Sequence, residues 1–73
     1  MKNEELSKIL QQLFNVPLDV SESADLRQYI QDSIDVGELA AVLRHDYRID
    51  VELNDFKSIY TLTDLRSLIQ SKT

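Results

Sequence analysis

Seventy-three residues, 42% hydrophobic and 29% charged, fit one small globular domain over 1–73 and exclude a fibrous or disordered chain. With no cysteine and one histidine, the sequence offers no disulfide framework, no thiolate nucleophile and no ordinary zinc site. A net charge of −5 opposes a phosphate backbone, so nucleic acid is excluded as an expected partner and basic protein surfaces are favoured.

The start "MKNEELSKIL" has acids where a signal peptide would have a basic region and an unbroken apolar segment. No run of about 18 apolar residues follows. A cytoplasmic, monomeric protein without a membrane span is expected. Leu6, Ile9, Leu10, Leu13 and Phe14 recur at the spacing of one helical face, with Glu4 and Glu5 at its positive end. This first helix ends before Pro17. Residues 17–32 read as a long connection held to the core by Val20, Leu26, Tyr29 and Ile30. Loops of this length in compact domains are often functional.

A second helix is predicted from Ser33 to about Tyr47, with Val36, Leu39, Ala40, Leu43 and Tyr47 facing the core. Its opposite face collects Ile34, Gly37, Glu38, Ala41, Arg44, His45 and Arg48. The alternation in "IDVELND" has no second strand to pair with, so it reads as a connection. "DFKSIY" supplies one short helical turn. "TLTD" is a capping-box-like start for a last helix with Leu62, Leu65, Leu68 and Ile69 inward. The predicted fold is all-α, a small bundle of three main helices and one short one with a long loop between the first two.

Ser33 could be no more than a helix-start residue, a position where serine is favoured. If Asp32 is the N-cap, however, Asp35 falls at the third helical position and Ser33 at the first, and the cap does not need the serine hydroxyl. An anion attached to that hydroxyl would lie beside unsatisfied N–H groups and the positive end of the helix dipole.

"LRQYIQDSIDVGELAAVLRHDYRIDV", continuing through "FKSIYTLTDLRSLI", resembles the acyl carrier protein family. Asp32, Ser33 and Ile34 occupy that family's Asp-Ser-Leu positions, Glu38 and Leu39 its Glu-Leu, and Tyr47 its aromatic. Val51, Phe56, Ile59 and Leu62 fall at its later apolar positions. The resemblance implies that a phosphopantetheinyl transferase moves the 4′-phosphopantetheine of coenzyme A onto Ser33. The domain then catalyses nothing itself and carries acyl groups as thioesters between loading and processing enzymes. It also implies that Asp32 positions the serine and the Mg²⁺ of the transferase complex. Ile34, Asp35, Gly37, Glu38, Ala41, Arg44 and Arg48 are the expected partner-binding residues. A specialised fatty-acid or polyketide-type pathway is the expected setting.

The chain departs from the family in three places. Ile30 stands where the family usually has a glycine two residues before the Asp. Gly37 and Ala41 replace larger apolar residues on the outward face, leaving Ile34 as its one sizeable apolar side chain. Arg44, His45 and Arg48 put positive charge below Asp32, Asp35 and Glu38, a split that favours a dedicated enzyme set over the general fatty-acid machinery. His45 reads as a surface residue. The alternatives are a carrier of an activated amino acid such as D-alanine, or an unmodified helical module that binds proteins through its second helix.

Overall fold

In a computed structural model describing residues 2–73, the apolar spacing becomes three α-helices, α1 (Asn3–Phe14), α2 (Ser33–Asp46) and α3 (Leu62–Lys72). Two 3₁₀ segments, Leu26–Gln28 and Leu53–Ser58, interrupt the connections. The chain is therefore the expected all-α bundle, with three corrections of detail. Tyr47 caps α2 instead of lying within it. The short helical turn expected in "DFKSIY" begins earlier, at Leu53. The long loop contains a 3₁₀ turn with no expectation behind it, capped by Asp25, whose carboxylate accepts from the Arg27 amide.

α1, α2, the second 3₁₀ segment and α3 each begin beside a carboxylate that reaches back to a backbone N–H at or just before the start of the helix. Glu5 accepts from the amide of Lys2, Asp35 from Gln31, Asp55 from Glu52, and Asp64 from both Tyr60 and Thr61. Thr61 completes the capping box by accepting from the Asp64 amide at 3.2 Å. Four of the 13 acids are thus engaged in starting helices.

The helices meet through the residues that the periodicity placed inward. Leu6, Ile9 and Leu10 of α1, Leu39, Ala40 and Leu43 of α2, and Leu62, Leu65 and Ile69 of α3 are buried with Val16, Leu26, Ile49 and Val51 from the connections. At about 1.5–3 kcal/mol for each fully buried large apolar side chain, this shared core supplies the main favourable contribution. Tyr47 and Leu68, also predicted inward, are half-buried against it, and Val36 is half-buried beside the pocket described below.

α1 and α2 end in the same way. In "LQQLFNV" a buried Leu10 is followed by an aromatic, a left-handed Asn15 (φ 58°) and buried Val16, whose N–H bonds to the Leu10 carbonyl at 3.3 Å. In "LRHDYRI" Leu43, Tyr47, left-handed Arg48 (φ 56°) and Ile49 repeat the arrangement, with Ile49 N–H to Leu43 carbonyl at 2.9 Å. A left-handed residue turns the chain so that the β-branched residue after it folds back onto the core. Asn tolerates this conformation; Arg adopts it against a steric cost.

The long loop is fastened to α3. The Leu26 amide donates to the Tyr60 carbonyl at 2.7 Å, and an isolated antiparallel bridge joins Asp25 to Thr61. The Thr63 amide and hydroxyl both donate to the Glu22 carbonyl, and Arg66 pairs with the Glu22 carboxylate. These bonds fix the level at which the chain reaches α2.

Candidate functional site

The start of α2 is built by its own sequence. Asp32 is extended (φ −138°, ψ 177°), and its Oδ1 accepts from the Asp35 amide at 3.0 Å, while Asp35 Oδ2 accepts from the Gln31 amide at 3.0 Å. The cap is therefore Asp32, as predicted. Ser33 is the first helical residue and is exposed. Its hydroxyl takes no part in this cap, and the Ser33 and Ile34 amides are helix-start donors with no acceptor among the described residues. A nucleophile-sized oxygen thus stands in solvent at the positive end of a helix of 14 residues.

The outward face of α2 brings together most of the predicted partner-binding residues. Ile34 leads it, 71% exposed. Glu38 and Arg44 follow, exposed, with Gly37 and Ala41 half-buried between them and His45 exposed beside them. A Cβ built on Gly37 would meet nothing within 4 Å, so no packing within this chain requires a glycine there. Two of the predicted residues are placed differently. The Asp35 carboxylate is engaged by the Gln31 amide. Arg48 lies past the helix end in its left-handed conformation, so the helical periodicity that put it on this face no longer applies.

One turn below Ser33, about 4.5 Å along the axis, Val36 faces a partly open pocket of 170 Å³ lined by the loop, α2, the second 3₁₀ segment, the residues that follow it and α3. Leu26, Ile30, Val36, Leu39, Phe56, Ile59 and Leu65 give it an apolar wall. Ile30, the departure from the family glycine, is part of that wall. Arg27, Lys57 and Tyr60 also line it. Asp25 grips the Arg27 guanidinium with both carboxylate oxygens, at 2.7–3.1 Å, and the guanidinium lies 4.6 Å from the centre of the Tyr60 ring. Hydrogen bonds from the Arg27 side chain, then from its amide, hold the Asp25 carboxyl down at about 2. Sequence reasoning missed Arg27, Lys57 and Tyr60. The available signal was two apolar pairs, Leu26 with Ile30 and Phe56 with Ile59, each flanking a cation.

No helix among the described residues is long and apolar enough to cross a membrane. Residues 4–70 match a family model described as a phosphopantetheine attachment site. No curated protein and no solved structure matches the chain.

Proposed function

We infer the site and the cargo of this protein from one premise: the chain belongs to the phosphopantetheine attachment family. It is a carrier domain for covalently attached 4′-phosphopantetheine, a family that carries acyl groups and does not itself transform them. Ser33 is the attachment residue. The observation that carries this is its place at the first position of α2, exposed, with the cap supplied by Asp32. The residues fit the group: a phosphodiester on that oxygen would have the Ser33 and Ile34 amides and the helix dipole on its side.

In the attachment step the Ser33 oxygen bonds to the phosphorus that bears the pantetheine of coenzyme A, and the pyrophosphate bond breaks. The adenosine bisphosphate leaves, and the hydroxyl proton passes to a base on the transferase. The bound group supplies a thiol that holds an acyl chain as a thioester. This chain's residues do the rest: Asp32 orients the serine, and Ile34, Glu38 and Arg44 present the surface that enzymes meet. Incubation with coenzyme A, Mg²⁺ and a broad-specificity transferase tests the assignment by intact mass. Wild type gains one phosphopantetheine and Ser33→Ala gains none; equal gain, or no gain by wild type, defeats it.

The cargo is an apolar acyl group of a specialised fatty-acid or polyketide-type pathway, carried by a cytoplasmic monomer. Apolar walls with Arg27 and Lys57 at their edge support this reading over an aminoacyl cargo, whose ammonium would meet cations and no free carboxylate. Partners must match acid near Ser33 and positive charge lower on α2. Arg44→Glu should therefore raise loading or elongation by general fatty-acid enzymes more than Arg48→Glu does, since only Arg44 lies on the helix. Unchanged rates for both would remove the argument for dedicated partners.

A further inference from the structure

The assignment of Ser33 does not account for Ile30. A glycine two residues before the Asp would open a left-handed turn to the chain at no steric cost. Here the non-glycine residues with positive φ are Asn15 and Arg48, so the chain passes Ile30 in ordinary backbone on its way into α2. Something else must fix the direction from which it reaches Ser33. We propose that the Gln31 side chain does so and is a positioning residue for the attachment step. The proposal rests on the reading of Ser33 as the attachment residue and adds to it the residue that holds the preceding turn.

Gln31 is bonded in both directions. Its backbone N–H donates forward to Asp35 Oδ2 at 3.0 Å, and its side-chain Nε2 donates back to the Gln28 carbonyl at 3.1 Å. Gln28 ends the first 3₁₀ segment, in which the Leu26 carbonyl accepts from the Tyr29 and Ile30 amides at 2.9 Å and the Leu26 amide donates to Tyr60. A run of hydrogen bonds therefore leads from the start of α3, through Tyr60 and the 3₁₀ segment, to Gln31, Asp35 and the cap at Asp32. Among the described residues, the bond from Gln31 Nε2 is the one hydrogen bond that ties residues 25–30 to the start of α2. Ile30 is half-buried against the core, so the turn has an apolar hold at one residue and a polar hold at the next.

Gln28 and Gln31 are both exposed, and water competes for their bond. One such bond shifts an equilibrium by about two- to tenfold. If Gln31 holds the turn, losing the bond lowers the fraction of carriers whose Ser33 is correctly placed, and the affinity that a transferase experiences falls with that fraction. The rate at saturating carrier is untouched. A residue that only stabilised the fold would lower the Tm and leave KM where it was.

The test compares wild type with Gln31→Met, which keeps the length of the side chain and removes its N–H, and with Gln28→Ala, which keeps the accepting carbonyl. Intact mass follows phosphopantetheine transfer from coenzyme A over a range of carrier concentrations, and NMR hydrogen exchange follows the amides of residues 31 and 35 in the free carrier. Gln31→Met should raise KM about two- to fivefold with kcat unchanged, and both amides should exchange faster. Gln28→Ala should match wild type in both readouts. A higher KM without faster exchange would make Gln31 a direct contact of the transferase, and a lower Tm with an unchanged KM would make it a structural residue. Either result overturns the proposal and leaves Ser33 as the attachment residue. A wild type that gains no phosphopantetheine overturns both.

Discussion

Asp32 caps α2 and is proposed also to position Ser33, and substitution can divide the observed duty from the proposed one. Its carboxylate accepts from the Asp35 amide at 3.0 Å, and the reciprocal bond from the Gln31 amide to Asp35 depends on the same turn. Asp32→Ala removes the cap, which costs about 1 kcal/mol. In a domain of this size that lowers the Tm by about 4–8 °C. Asn is as good an N-cap as Asp. Asp32→Asn should therefore hold the Tm within about 2 °C of wild type. What Asn loses is the negative charge beside Ser33, on which the proposed positioning of the serine and of the transferase Mg²⁺ depends. The rate of phosphopantetheine transfer should fall at least about tenfold in Asp32→Asn, equivalent to about 1.4 kcal/mol, with folding unchanged. Thermal melts by circular dichroism and timed intact-mass measurements give the two readouts on the same samples. Loading of Asp32→Asn at the wild-type rate would refute the reasoning and leave Asp32 as a cap alone.

Gly37→Ala should stabilise the fold by about 0.5–1 kcal/mol in urea unfolding, because glycine is the poorer helix former and the added methyl meets nothing. A loss of partner activity in that stabilised variant would show that an enzyme approaches the backbone there. Arg48→Gly should raise the Tm, because the left-handed conformation that costs an L residue about 1–2 kcal/mol costs glycine almost nothing. Glycine's freer unfolded state reduces that gain to about 0.5–1 kcal/mol, and Arg48→Ala, which deletes the same charge without relieving the backbone, should show no gain. Asp25, Asp55 and Asp64 all have folded pKa values below the ordinary carboxylate range, so their contribution is present above about pH 4 and is lost as pH falls toward the folded values. Melts between neutral pH and about pH 2 should show that decline. In Asp64→Ala it should be shallower, because the carboxyl lowered by the Tyr60 and Thr61 amides has been removed.

The three α-helices were legible because each repeats its apolar residues at helical spacing, and that spacing depends only on neighbours within a few positions. The cap at Asp32 was legible for the same reason: its partners, Gln31 and Asp35, are local. Arg48 was misplaced because periodicity carried the helix past Tyr47, and nothing in a helical wheel announces that an arginine will turn left-handed. What makes it turn is Ile49, which must reach the core and bond back to Leu43. The cavity was the least legible feature. Its walls and edge come from residues as far apart as Leu26 and Leu65, and the clamp on Arg27 meets Tyr60 only because Asp25 bridges Thr61. Such pairings are decided by tertiary contact, which a local pattern does not encode.

A carrier must let its arm reach many positions while offering each enzyme the same attachment point, and α2 meets these demands by dividing them. Its first turn is held by Asp32, Asp35 and Gln31, and its last by the bond from Ile49 to Leu43 with Ile49 and Val51 buried beneath. Between those ends Leu39, Ala40 and Leu43 anchor the inner face. On the proposed assignment, what moves is the group carried on Ser33, and the order of the helix costs nothing at the moment of docking because folding has already supplied it. The same division accounts for the acids. Those that start helices are bound to backbone amides, whereas Glu38 is exposed on the outward face. Net charge alone therefore overstates the free acidity of this face, and the exposed residues Ile34, Glu38 and Arg44 are the pattern that an enzyme would complement on the docking face proposed above.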